Sequence, residues 1–209
     1  MLHGGGGAYG AAVLEPWAAA VAAEGAVVFV PRWDNRAPRP DAAEAIAAFE
    51  RTAADLACVV RLARSEADRY GGDPLHVSLF GHSAGGHFAS QVALTAPTVP
   101  PDCLAEEGSA IPDELVLFEG DWLLQGHPVW DSLLAQDRAV WAAQTPWPHL
   151  ADASRLPVTI LDAGDPTLAI STAERIDASL ALRDPDGVLR GALERAGALA
   201  DERLTETES

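Results

Sequence analysis

Short apolar runs, rich in branched and aromatic side chains, recur along this chain and alternate with alanine-rich helical patterns. The runs are AVVFV (26–30), LHVSLF (75–80), ELVLFEG (114–120) and LPVTILDAG (156–164). A strand that is apolar at consecutive positions is covered on both faces, as in parallel sheets. Helices are predicted over 14–23, 41–70, 87–96, 170–182 and 186–198, and a last strand over 202–208. This alternation predicts an α/β fold, a mostly parallel sheet with helices on both faces.

The chain length limits the number of domains. With 209 residues, 48% of them hydrophobic, the chain suffices for one sizeable core, and no linker divides it. We therefore predict a single domain over residues 1–209. The Trp-rich segment 121–150 would be a small cap inserted into that domain, because about 30 residues do not make a domain of their own.

The charge balance excludes some partners. There are 31 acidic residues against 14 basic ones, all of them arginine, and the formal net charge is −17. Such a surface repels phosphate backbones, so no nucleic-acid partner is expected. No apolar run is long enough to cross a membrane, and no basic-then-apolar leader opens the chain. We therefore expect a cytoplasmic protein with no membrane partner, in which Cys58 and Cys103 are reduced thiols.

The motif GHSAGG (81–86) lies between a predicted strand and a predicted helix. It matches G-x-S-x-G, in which a sharp strand-to-helix turn lifts a serine hydroxyl above the carboxyl edge of a sheet. The alternative is an ordinary Gly-Ser turn. The strand and helix on either side favour Ser83 as a nucleophile.

A glycine run, HGGGG (3–7), stands near the first residue. A nucleophilic serine needs backbone N–H donors aimed at the developing oxyanion, and residues without Cβ allow the main chain to approach closely. Taken alone, the run would be a flexible start. Together with GHSAGG, it predicts an oxyanion hole formed by Gly5, Gly6 and Ala84, although the sequence leaves open which two glycines donate.

HGGG followed about eighty residues later by GHSAGG resembles the α/β-hydrolase superfamily, and within it the hormone-sensitive-lipase-like and BD-FAE-like carboxylesterases, with arylformamidases nearby. The resemblance implies an incomplete α/β-hydrolase fold, cut at both ends, and an esterase that needs no cofactor and no metal. It implies Ser83 as nucleophile, with an acid after the next-to-last strand. Asp165, which precedes a proline, is favoured over Asp162 for that role. Either residue could instead be a turn aspartate.

The family histidine should follow the acid, yet no histidine follows Asp165. The chain would then be a fragment, or a degenerate member, or one in which another histidine serves as base. The candidates for that base are His82, His87, His127 and His149. A serine without its base is a weak nucleophile, so weak activity is expected.

The substrate is predicted to be a small ester or amide. Tryptophans 122, 130, 141 and 147 would line a short-chain or aryl pocket, or would pack the cap onto the core. The alternative to an enzyme is a non-catalytic ligand- or partner-binding module of the same fold. An unpaired sheet edge further predicts a homodimer.

Overall fold

The computed structural model describes residues 1–4, 10–33, 41–118, 146 and 156–161. Within this part of the chain, the helices are α1 (Glu15–Ala23), α2 (Ala42–Glu66) and α3 (Ala84–Thr95), with single 3₁₀ turns at Ala11–Leu14 and Ala67–Tyr70. The strands are β1 (Ser78–His82), β2 (Glu114–Phe118) and β3 (Val158–Leu161).

The three strands form a parallel sheet in the order β1-β2-β3. Phe80 lies opposite Val116 and His82 opposite Phe118, while Leu115 of β2 lies opposite Val158. On the other side of β1, Leu2 forms a parallel bridge with Gly81, with its N–H bonded to the Phe80 carbonyl at 2.7 Å. The first residues of the chain therefore run alongside β1 and reach its carboxyl end.

The two faces of the sheet are covered unequally. Side chains alternate in burial along β1 and β2, so Leu79, Leu115 and Leu117 are buried while Phe80 and Phe118 are half-buried. Helix α3 packs on the buried face, and α2 packs on α3. The half-buried face meets α1 through Trp17. The predicted α/β fold with helices on both faces is confirmed, although the face that carries Phe80 and Phe118 is only half-buried.

Helix α2 follows the sequence prediction closely. Its first residue comes directly after Asp41, which is the N-cap because its carboxylate accepts the Glu44 N–H at 2.8 Å. The chain leaves the helical segment at Gly71, where φ is 82°. Apolar residues recur every three or four positions along α2, and this stripe packs against α3 through stacked Phe49 and Phe88, 5.2 Å apart.

Arg64, near the end of α2, joins the segments that lead into β1 and β2. Its guanidinium donates to the carbonyl oxygens of Pro74 (2.6 Å) and Ile111 (2.9 Å), and pairs with the Asp113 carboxylate at 2.9 Å. The same carboxylate oxygen accepts the Val77 N–H at 2.7 Å. Arg64 is largely buried, so the amino ends of both strands are held by a charge-assisted network.

The prediction of reduced thiols is wrong in this structure: Cys58 and Cys103 form a disulfide. Their separation of 45 residues says nothing about distance in space, because the connection between α3 and β2 folds back along α2 and brings the two Cα atoms within 5.6 Å. The bond ties this connection to the same side of α2 that presents Arg61 and Arg64 to Gly108.

Two predicted strands differ from the structure. AVVFV (26–30) forms no regular strand, because within the described residues its one backbone bond to another segment runs from the Met1 amine to the Phe29 carbonyl, at 2.7 Å. The strand predicted from Leu75 begins at Ser78 instead. The Asp73 carboxylate accepts the Leu75 N–H at 2.8 Å and turns the chain, leaving Leu75 exposed.

No helix among the described residues has both the length and the apolar character needed to cross a membrane. A single domain over 1–209 and a homodimer through a sheet edge stay predictions.

Reducing the disulfide should lower the stability of the fold. A bridge that closes a 45-residue loop restricts the unfolded chain by an amount worth about 4 kcal/mol at most. We expect urea unfolding of the oxidised chain to show a loss of roughly 2–4 kcal/mol after addition of reductant. The double variant Cys58→Ser/Cys103→Ser should have the same free energy of unfolding as the reduced chain. Adding reductant should not change its stability. Equal stability of all three forms would contradict the prediction.

The amino terminus should make stability depend on pH. Burial lowers the pKa of the Met1 amine from 8.0 to about 5. Between these values the unfolded chain binds a proton that the folded chain does not, so the free energy of unfolding should rise with pH. The slope is at most about 1.4 kcal/mol per pH unit between pH 5 and 8. Urea unfolding across this range checks it, and an N-acetylated chain, which has no titrating amine, should lack this part of the slope.

Candidate active site

The chain turns from β1 into α3 at Ser83, where the backbone has φ 51° and ψ −122°. A non-glycine residue with this φ is strained, and such strain persists only where the surroundings fix it. Here the Ser83 N–H donates to the Phe118 carbonyl at 3.0 Å, and the Ser83 carbonyl accepts the Gly86 N–H at 2.8 Å. The backbone is thus held on both sides, and the half-buried Ser83 stands at the carboxyl edge of the sheet.

Steric crowding explains why the GHSAGG motif has glycine at positions 81 and 85. A Cβ on Gly85 would collide with the Leu2 carbonyl oxygen and lie 2.7 Å from the His3 carbonyl oxygen. A Cβ on Gly81 would lie 2.7 Å from the Gly86 Cα. In each case the obstacle is backbone, which cannot move aside as a side chain can. The turn therefore depends on bare backbone at both positions.

The glycine-rich segment comes directly to Ser83. A Cβ on Gly4 would lie 2.9 Å from the Ser83 Cβ and 3.1 Å from the His82 carbonyl oxygen. This closeness follows from the pairing of Leu2 with β1, since the His82 N–H donates to the Leu2 carbonyl at 3.0 Å. The structure therefore brings Gly4 and the turn at Ser83 together.

A row of buried rings lies behind this contact. His3 stacks on Trp33 at 5.2 Å, Trp33 meets Phe88 edge-on at 5.1 Å, and His87 lies 5.3 Å from Phe88. His3 and His87 are both completely buried. The His3 Nδ1 also lies 3.2 Å from the Gly4 carbonyl oxygen, so this ring supports the glycine segment from below.

The start of α3 supplies the electrostatics of the site. Ala84 is the first residue of α3, and the first N–H groups of a helix have no acceptor within it. The helix dipole adds partial positive charge at this end. Negative charge that develops beside Ser83 would therefore meet oriented backbone donors.

Several predicted site residues lie outside the described part of the chain. These are Gly5, Gly6, Asp162, Asp165, His127, His149 and, apart from Pro146, the cap segment 121–150. Of the predicted set, the structure places Ser83 and Ala84 together, with Gly4, the neighbour of Gly5, against them.

Sequence reasoning missed two tryptophans near the site. Trp33 packs beneath the glycine segment, and Trp17 of α1 lies against His82 and Phe118. Trp17 had a usable signal, because Trp17 and Val21 stand four residues apart and so share one side of α1. That spacing does not reveal which part of the sheet the side faces.

Comparison with solved structures finds the tabun-phosphoramylated esterase 2 of Thermogutta terrifontis, 18% identical over 91% of this chain and 82% of that chain, with a TM-score of 0.55. The native and propionate-bound forms of the thermophilic esterase Est2 from this planctomycete align at 19% and 18% identity over 91% of this chain and 80% and 82% of theirs, each with a TM-score of 0.45. No protein-family model and no curated protein matches. The first likeness shows a shared α/β fold.

Substitution of Gly85 should test the backbone contact. Gly85→Ala forces a Cβ into the Leu2 carbonyl, and we expect urea unfolding to show a loss of about 3 kcal/mol or more. Gly25→Ala is the control: its φ of 99° is strained for alanine, but no atom lies within 4 Å. Its loss should be about 1–2 kcal/mol. Equal losses in the two variants would contradict the steric argument.

Proposed function

We propose that this chain is a serine hydrolase of carboxylic esters, with Ser83 as its nucleophile. The observation that carries the proposal is the approach of the glycine-rich segment to the strained turn, with Gly4 against the Ser83 Cβ at the start of α3. Backbone donors and a nucleophile at one point are what acyl transfer requires. The shared fold with an esterase supports the proposal.

The first chemical step follows from this arrangement. The Ser83 Oγ attacks the ester carbonyl carbon, and the carbonyl oxygen becomes an oxyanion. The Ala84 N–H, together with Gly5 and Gly6, would stabilise that oxyanion, and the α3 dipole would lower its energy further. Collapse of the intermediate breaks the bond to the leaving oxygen, which takes up the proton given up by Ser83 and departs as the alcohol. Water then hydrolyses the acyl-Ser83 to the carboxylic acid and restores the Ser83 hydroxyl. The acid that would orient a base is Asp165.

The proton of Ser83 needs an acceptor. His3 and His87 are fully buried against aromatic rings, and His76 lies before the amino end of β1, away from Ser83. His82, which directly precedes Ser83, packs its ring near those of Trp17 and Phe118. Because no histidine follows Asp165 in these 209 residues, we propose that the chain turns over slowly as it stands. Backbone stabilisation alone retains about 10³–10⁴ over the uncatalysed rate in a hydrolase that has lost its triad.

An external base should separate the two parts of the mechanism. We expect imidazole to accelerate hydrolysis of p-nitrophenyl butyrate by the parent chain, because it can accept the Ser83 proton. Ser83→Ala in the same imidazole measures the direct reaction of imidazole with the ester. Ser65→Ala, an exposed serine on α2, should behave as the parent.

A covalent probe reports on the same serine without turnover. We expect a fluorophosphonate to label Ser83, as peptide mapping would show, and Ser83→Ala to remain unlabelled. If no Ser83-dependent rate appears with imidazole and Ser83 is not labelled, the esterase proposal is wrong. A non-catalytic binding module of this fold would then be favoured.

A further inference from the structure

Trp17 covers a row of rings on the half-buried face of the sheet. Its indole lies 4.8 Å from the ring of Phe118, 5.8 Å from that of Phe80 and 6.2 Å from that of His82. His82 and Phe118 are the last residues of β1 and β2 and lie opposite each other. Trp17 therefore stands at the carboxyl edge of the sheet, the edge from which Ser83 projects.

His82 connects this cluster to the reactive serine. It precedes Ser83 directly, and its Nδ1 would lie 3.1 Å from a Cβ on Gly4, the same point that lies 2.9 Å from the Ser83 Cβ. His82 is half-buried, and its ring lies 5.4 Å from that of Phe118. Aromatic surface thus runs without interruption from beside Ser83 to the indole of Trp17.

The ring contacts of Trp17 leave part of its indole open to solvent. Trp17 leaves 41% of its surface open although it contacts three rings. Val13, in the 3₁₀ turn before α1, and Val21, one turn after Trp17 in α1, are 44% and 41% exposed. Packing alone would be served by an aliphatic residue here too. An indole adds a broad, rigid face at the edge beside Ser83.

We infer that Trp17, with His82, selects esters that carry an aromatic ring next to the reacting carbonyl. This inference rests on the proposed function, because it assigns the substrate class of the same site. A flat ring can pack against the open part of the indole in offset or edge-on geometry, which a saturated ring of equal size cannot do as well. The ring can come from the alcohol or from the acid part of the ester.

The test measures binding rather than turnover, so it does not depend on a base. All variants carry Ser83→Ala. Ligand titrations followed by saturation-transfer NMR compare phenyl acetate with cyclohexyl acetate, and methyl benzoate with methyl cyclohexanecarboxylate. We expect one aromatic ligand to bind about 3- to 10-fold more tightly than its saturated partner. The pair that shows the preference tells whether the ring belongs to the alcohol or to the acid.

Substitutions at Trp17 then locate the preference. Trp17→Ala should reduce the ratio to about one, and Trp17→Phe should keep part of it because a ring remains. Val21→Ala, equally exposed on the same side of α1, should leave it unchanged. If Trp17→Ala does not fold, as judged by circular dichroism, Trp17→Leu replaces it, since leucine keeps apolar volume without a ring.

Two results would overturn the inference: no aromatic preference in the parent, or a preference that survives loss of the indole. Failure of the proposed function looks different. Ser83 would then show no labelling and no imidazole-dependent rate, while the aromatic preference and its dependence on Trp17 remained.

Discussion

The candidate site depends on one constraint, the close contact between the backbone of Leu2 and the backbone of Gly85 at the carboxyl end of β1. The Leu2 carbonyl accepts the His82 N–H and lies against Gly85, so the amino-terminal segment, the strand and the start of α3 meet with no side chain between them. A Cβ at Gly85 would separate these segments. The strained φ of Ser83 is held beside this contact by hydrogen bonds of its N–H to the Phe118 carbonyl and of its carbonyl to the Gly86 N–H.

The opposite end of the sheet is built in another way. There, Arg64 and Asp113 join the segments entering β1 and β2 through charged hydrogen bonds, and the disulfide fixes the connection between α3 and β2 to α2. These side-chain links stabilise the amino ends of the strands, whereas close backbone contacts hold the turn at the carboxyl end of β1. Parallel strands place all their carboxyl ends at one edge, so the edge that carries Ser83 is separate from the edge that carries these links.

The sequence predicted the features that local patterns encode. Asp41 as N-cap, Gly71 as helix stop and the turn at Ser83 each depend on neighbouring residues, and the structure has all three. It could not predict the disulfide, since the approach of Cys58 to Cys103 depends on how a long connection folds back along α2. AVVFV has the composition of a strand. A strand also needs a neighbouring segment to pair with, and composition does not predict whether one is present. Trp17 was missed for a related reason, because its neighbours His82 and Phe118 come from distant parts of the chain.

Under the proposed function, the oxyanion donors and the general base are physically separable parts of the mechanism. His3 and His87 are part of the buried ring stack that supports the glycine segment, and His82 belongs to the aromatic surface under Trp17. The proposed donor, the Ala84 N–H, is in contrast a main-chain group whose position follows from the start of α3. Such donors persist as long as the fold persists, because no single side chain supplies them. A general base is one side chain and is lost with one change. The same backbone can therefore hold an oxyanion site whether or not a base accompanies it, and the presence of the first does not establish the second.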